Sequence, residues 1–180
     1  MPAGKSLLQA RGTRSEICIF LPMASKRGHI SLPEVGILKS LNRMELAKLS
    51  EFGHSLRVSA GTEVVKQETR QDSLYVVIDG LLAVSLATGD EETQVSEIRK
   101  GEAFGEMAII DPARASANVR TLSDSMLWRI RKANLDDFIL RNPDAGLRLL
   151  WSISGLLVKR LRSVNDEVSA APEKKRKSWW

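Results

Sequence analysis

The sequence predicts a mainly β domain, a small antiparallel barrel or sandwich with flanking helices, and three observations carry that prediction. Between about residues 55 and 131 the chain breaks into short apolar runs with a period of two, closed by turns that repeatedly contain glycine. On either side the period becomes helical: Met44, Leu46, Leu49 and Phe52 recur before the runs, and Leu150, Ile153, Leu157, Leu161, Val164 and Val168 recur after them. Charge is balanced in between, because residues 37–168 hold 18 of the 27 basic and 19 of the 22 acidic side chains, so the excess behind the net charge of +5 lies in the two ends. A length of 180 residues suits one domain with extensions.

In chain order, residues 1–36 have no clear period and intersperse Lys5, Arg11, Arg14, Lys26 and Arg27 with Pro2, Pro22 and Pro33. They read as a poorly ordered basic arm. Within it Ile17 to Ala24 is too short to span a membrane, and Glu16 and Pro22 make it a poor secretion signal; Ile17 to Met23 reads as an element packed on the domain or as an overlong start. Asn42 caps a helix from Arg43 to Phe52. Strands follow around Leu56 and Val58, over Glu63 to Val65, and from Ser73 to Ile78. Asp79-Gly80 predicts a hairpin with Leu81 to Ala87 as the partner strand, and Thr88-Gly89-Asp90 turns the chain into Thr93 to Ile98. Ala115 to Thr121 and Ser125 to Ile130 complete the barrel, with Trp128 expected in its core. A helix opened by Lys132 or Asn134 stops at Asn142-Pro143, and a second runs from Pro143 to Val168.

One segment has residue types that packing alone does not call for. In Gly101 to Thr121 two glycines precede and flank Glu106, Asp111-Pro112 stops any helix begun at Met107 to Ile110, and Ala113, Ala115, Ser116 and Ala117 follow. Small side chains leave backbone N–H groups uncovered for an anion, and a fixed carboxylate suits sugar hydroxyls. The run Phe104-Gly105-Glu106-Met107-Ala108-Ile109-Ile110 resembles the phosphate-binding cassette of cyclic nucleotide-binding domains, found in the catabolite activator protein and the regulatory subunits of protein kinase A. Asp72-Ser73-Leu74-Tyr75-Val76-Val77-Ile78-Asp79-Gly80 is similar to that family's jelly-roll signature, with Glu68 to Gln71 in place of its usual loop glycine.

The resemblance implies a jelly-roll barrel (double-stranded β-helix) over about 55–131, C-terminal helices over 132–168, and a cyclic nucleotide, cAMP or cGMP, as ligand. It places the ribose 2′-hydroxyl on Glu106 and the rest of the site on Phe104, Gly105, Met107, Arg114, Ala115, Ser116 and Ala117. The family's phosphate-gripping arginine falls on Ala115, while Arg114 stands one place early. A one-residue shift in extended chain turns a side chain to the opposite face, so either the loop relaxes to let Arg114 reach the phosphate or the pocket is a relic. The resemblance also makes the helix 143–168 a lid and a dimer seam, with Asn165, or Ser163, as the base contact.

The same residues bound the function. A lone cysteine, Cys18, suits a reducing cytoplasm, and His29 and His54 stand apart, so no metal, cofactor or cysteine nucleophile is expected. No catalytic constellation is legible, which argues against an enzyme. Only residues 169–180 follow the last helix, too few for the helix-turn-helix domain of the family's transcription factors, so no DNA-binding domain is expected. That tail sets Lys174 to Lys177 beside Trp179-Trp180; it is a solvated end or a contact for nucleic acid, acidic protein or an anionic membrane surface. No transmembrane segment is expected. Two functions stay open: a stand-alone regulatory sensor that answers a cyclic nucleotide by changing partner or dimer contacts, and a ligand-free scaffold for interaction or dimerisation.

Overall fold

The computed structural model describes residues 31–170. The segment Ile17 to Met23, the rest of the basic arm and the Lys/Trp tail lie outside the described residues. Leu32, assigned to the arm by sequence, is buried in the core, and a 3-10 turn follows at Gly36–Ser40.

Helix α1 (Arg43–Phe52) starts where local chemistry fixes it: Asn42 Oδ1 accepts the Glu45 N–H at 3.0 Å and Glu45 Oε2 accepts the Asn42 N–H at 3.0 Å, closing a capping box. The strands are β1 (His54–Val58), β2 (Glu63–Val65), β3 (Ser73–Asp79), β4 (Leu81–Thr88), β5 (Glu91–Arg99), β6 (Ala103–Phe104), β7 (Asn118–Thr121) and β8 (Ser125–Arg131). Helix α2 (Glu106–Ile110) interrupts them, and α3 (Lys132–Arg141) and α4 (Pro143–Ala170) end the described chain.

The strands form two antiparallel sheets, ordered β1-β8-β3-β6 and β2-β7-β4-β5. Strand β3 shows how they share the core. Its residues Ser73 to Val77 are all buried, because Tyr75 and Val77 point between the sheets with Leu82, Ile98, Phe104, Val119 and Leu127. Leu74 and Val76 point the other way, with Trp128 and Ile130, into a second cluster that the helices cover with Leu38, Leu49, Leu135, Phe138, Leu149 and Ile153. Trp128 is therefore a core residue of the helix-covered face, as its place in a strand predicts.

The expected hairpin at Asp79-Gly80 does not form. Both edges of β3 are taken by β8 and β6, and both edges of β4 by β7 and β5. Gly80, at φ 108°, instead turns a corner that carries the chain from one sheet to the other, and a Cβ there would lie 2.2 Å from Ser125 Oγ. The dipeptide marks a turn correctly; which strands it joins is settled by long-range pairing. The next turn, Gly89-Asp90, does close a hairpin, with Thr88 opposite Glu91. The strand expected from Ala115 begins only at Asn118.

Candidate functional site

The site is built outward from Gly105. Its φ of 79° is left-handed, and a Cβ would stand 2.3 Å from the Ser73 carbonyl oxygen, so only glycine lets β6 turn this tightly against β3. Just before it, Phe104 is buried and stacks on Tyr75 with centroids 4.7 Å apart and planes 3° from parallel. The turn is thus pinned on one side by a ring and on the other by backbone contact, and it aims the first residue of α2 inward.

That residue is Glu106, 2% exposed. Its Oε1 accepts from Arg160 Nη1, and Arg160 Nη2 donates to the Ala103 carbonyl at 2.7 Å. Its Oε2 is buried and, among the described residues, has no hydrogen-bond partner. A buried carboxylate oxygen with nothing to accept is costly unless a donor arrives, and a ligand hydroxyl is such a donor. Met107 turns outward, and Ser116 Oγ reaches its Sδ at 3.9 Å, which brings the end of the cassette back to its beginning.

The second half of the cassette is held elsewhere. The Ala115 N–H donates to the Thr69 carbonyl at 2.8 Å, and the Ala115 carbonyl accepts the Glu68 N–H at 2.9 Å. Arg114 is exposed and its Nη1 donates to the Glu68 carbonyl at 3.0 Å. Glu68 itself has φ 64°, a left-handed conformation that glycine would adopt freely. Among the described residues the Ser116 and Ala117 N–H groups meet no main-chain acceptor, so two donors stay uncovered beside the turn. Further along, Glu92 accepts from Ser85 Oγ and from Asn118 Nδ2 at 3.2 Å, which holds its carboxyl below the usual carboxylate range.

Sequence reasoning and structure meet unevenly here. Phe104, Gly105, Glu106, Met107 and Ser116 are brought together, with Ala115 and Ala117 beside them. Arg114 faces the neighbouring loop, so the relaxation that would carry its guanidinium to a phosphate is not what this conformation shows. Asn165 is exposed and lies five residues beyond Arg160, about 140° around the helix from it. Arg160 was missed, since an arginine between Leu156 and Leu161 reads as solvated. The available signal was the spacing Leu149, Ile153, Leu156, Arg160, which puts it on the inward stripe of α4.

The profile of the cyclic nucleotide-binding domain matches residues 55–142, which contain both sheets save one residue of β1, the turn at Gly105 and the cassette. Those residues belong to the cyclic nucleotide-binding domain family. The cyclic nucleotide-binding domain of Methylobacillus flagellatus superposes with a TM-score of 0.68 over 74% of this chain and 76% of that one, at 18% identity. The catabolite activator protein of Thermus thermophilus gives 0.67 over 74% and 62%, at 22% identity. These likenesses establish the fold. In sequence, the chain is 28% identical over 120 residues to the Pycsar effector protein BcPycTIR of Burkholderia cepacia, covering 66% of this chain and 38% of that protein. It is 34% identical over 88 residues to a cAMP-dependent protein kinase regulatory subunit of Mucor circinelloides, covering 49% and 21%. The chain spans less than two fifths of the length of these curated relatives. Among the described residues no cluster of His, Cys, Asp or Glu could hold a metal, and no helix is long and apolar enough to cross a membrane.

Proposed function

We propose that this chain is a regulatory module that binds a cyclic nucleotide, cAMP or cGMP, and passes occupancy to a partner through α4. The observation that carries the reading is Glu106: a carboxylate buried on a glycine turn, with Oε2 unpartnered, is a poor structural device and a good hydroxyl acceptor. In this reading the ribose meets Glu106, the phosphate meets the uncovered N–H groups of Ser116 and Ala117, and α4 responds because Arg160 ties it to the same carboxylate. Support comes from the family of residues 55–142 and from the kinase regulatory subunits among the relatives. The lone cysteine favours a reducing compartment, the cytoplasm.

The partner we propose is a second copy. The outer face of α4 exposes Leu147, Trp151, Val158 and Leu161, at intervals of four, seven and three that make a heptad seam. Trp151→Glu with Leu161→Glu then yields a monomer by sedimentation at concentrations where the unaltered chain is dimeric.

The test of the ligand is thermal unfolding with excess cAMP or cGMP. Nucleotide at a hundred times its dissociation constant adds about 2.7 kcal/mol, a rise of several degrees in Tm, and Glu106→Ala abolishes it. The competing reading, a ligand-free scaffold, is favoured by the uncharged Ala115 and by the guanidinium already seated on Glu106. A folded protein whose Tm moves with neither nucleotide decides for the scaffold.

A further inference from the structure

Charge balance at the cassette leaves a question that the family resemblance does not answer. A cyclic phosphate carries one negative charge and Glu106 another, and the cassette position that would neutralise them is Ala115. Its neighbour Arg114 is committed to the Glu68 carbonyl on the exposed side of the loop. Two anions cannot share a poorly hydrated pocket without a cation between them. The guanidinium already in contact with Glu106 comes from outside the cassette.

We infer that Arg160, on α4, is the cation that receives the ligand's phosphate, in place of the arginine absent at position 115. This rests on the cyclic nucleotide reading of the site. In the structure Arg160 uses Nη1 on Glu106 and Nη2 on the Ala103 carbonyl. Five N–H groups fan out from a guanidinium, so a planar fork held by two bonds still presents donors. Its side chain is 43% exposed while that of Glu106 is 3% exposed, so the arginine remains accessible to an incoming ligand where the carboxylate is enclosed. With Arg160 in place the occupied site carries one net negative charge, the balance a cassette arginine would give. Because the cation sits on α4, phosphate recognition and helix position become one event: a nucleotide is held only while the helix is down. An arginine within the cassette could hold phosphate with the helix in either position.

The experiment compares phosphate-bearing and phosphate-free ligands by isothermal titration calorimetry: cAMP and cGMP against adenosine and guanosine. Arg160→Ala weakens the cyclic nucleotide by about 30-fold or more and leaves the nucleoside within about threefold. Arg160→Lys, which keeps the charge without the fork, falls between, and it guards against an Ala variant that does not fold. Adding Ala115→Arg to Arg160→Ala restores at least about tenfold of the loss. The inference is overturned if Arg160→Ala binds cyclic nucleotide as tightly as the unaltered chain or more tightly, which would make Arg160 a competitor for Glu106. It is also overturned if nucleotide and nucleoside weaken equally. Binding by the double variant and not by the unaltered chain overturns the inference and leaves the nucleotide reading of the cassette standing. Absence of binding by both overturns the two together.

Discussion

Along α4 the first half is seated by apolar packing, while among the described side chains the second half is tied down by the polar contacts of Arg160. From Pro143 to Leu156 the helix buries Ala145, Leu149 and Ile153 against the α3 and sheet cluster, and Leu156 packs on its edge. Arg148 adds a polar clamp, pairing with Glu45 of α1 and donating from Nε to the Ser40 carbonyl at 3.1 Å, while Ser152 Oγ meets Ser40 Oγ at 2.9 Å. From Val158 to Asp166 every residue is exposed, and Arg160 is the contact that reaches the cassette. The difference teaches where a ligand can act. Apolar burial costs too much to undo on each binding event, whereas a single pair half open to solvent can exchange partners.

The largest expected effect comes from breaking the seated half. Ile153 is fully buried, and Ile153→Ala lowers unfolding free energy by about 2–5 kcal/mol in a urea titration. The loss is global, because the side chain joins the helix to the cluster that covers β3 and β8. A loss under about 1 kcal/mol would mean that the first half is no better anchored than the second.

A smaller effect tests the polar clamp of the same half. Arg148→Ala removes the Glu45 pair and the Ser40 carbonyl bond, costing about 1–2 kcal/mol at neutral pH because both groups are partly exposed. Arg148 first, then the Asn42 N–H, hold the Glu45 carboxyl below its ordinary value of 4.5. A folded-state value lower than the unfolded one adds stability that is present above 4.5 and lost as pH falls through the lowered value. The gap between the unaltered chain and Arg148→Ala therefore narrows in acid. It does not close, since the bond to the Ser40 carbonyl has no titrating acceptor. A gap that stays constant from pH 7 to about pH 3 would remove Glu45 from the clamp.

How much of this was legible in the sequence follows from whether the cause is local. Helix α1 was readable at its start because Asn42 and Glu45 cap it within four residues, and α4 from its Pro143 start and its long apolar period. Gly105 and Glu106 were readable because they lie together in the short run Phe104 to Ile110, which resembles the phosphate-binding cassette of cyclic nucleotide-binding domains. The pairing of β3 and β4 was misread, since a turn's residue types do not record which sheet receives the next strand. Arg160 was harder to read, because its spacing on the inward stripe of α4 gives it a face without giving it a partner. The carboxylate that it meets, Glu106, lies 54 residues away, and helix periodicity does not record a contact at that separation.

The smallest expected effect sits at the boundary between the halves, where Gly155 interrupts the apolar stripe. A Cβ built there meets nothing within 4 Å, so alanine adds no clash and removes the entropic penalty of a helix-interior glycine. Gly155→Ala should raise stability by about 0.5–1 kcal/mol, with amide exchange slowing mainly after residue 155. Since Arg160 ties the second half to Glu106, stiffening the helix at its root couples that half to Ile153 and Leu149 and makes displacement from Glu106 harder. A gain in stability with unchanged exchange after 155 would show that the second half already moves as one piece with the first, and the contrast along α4 would then be one of packing without a difference in mobility.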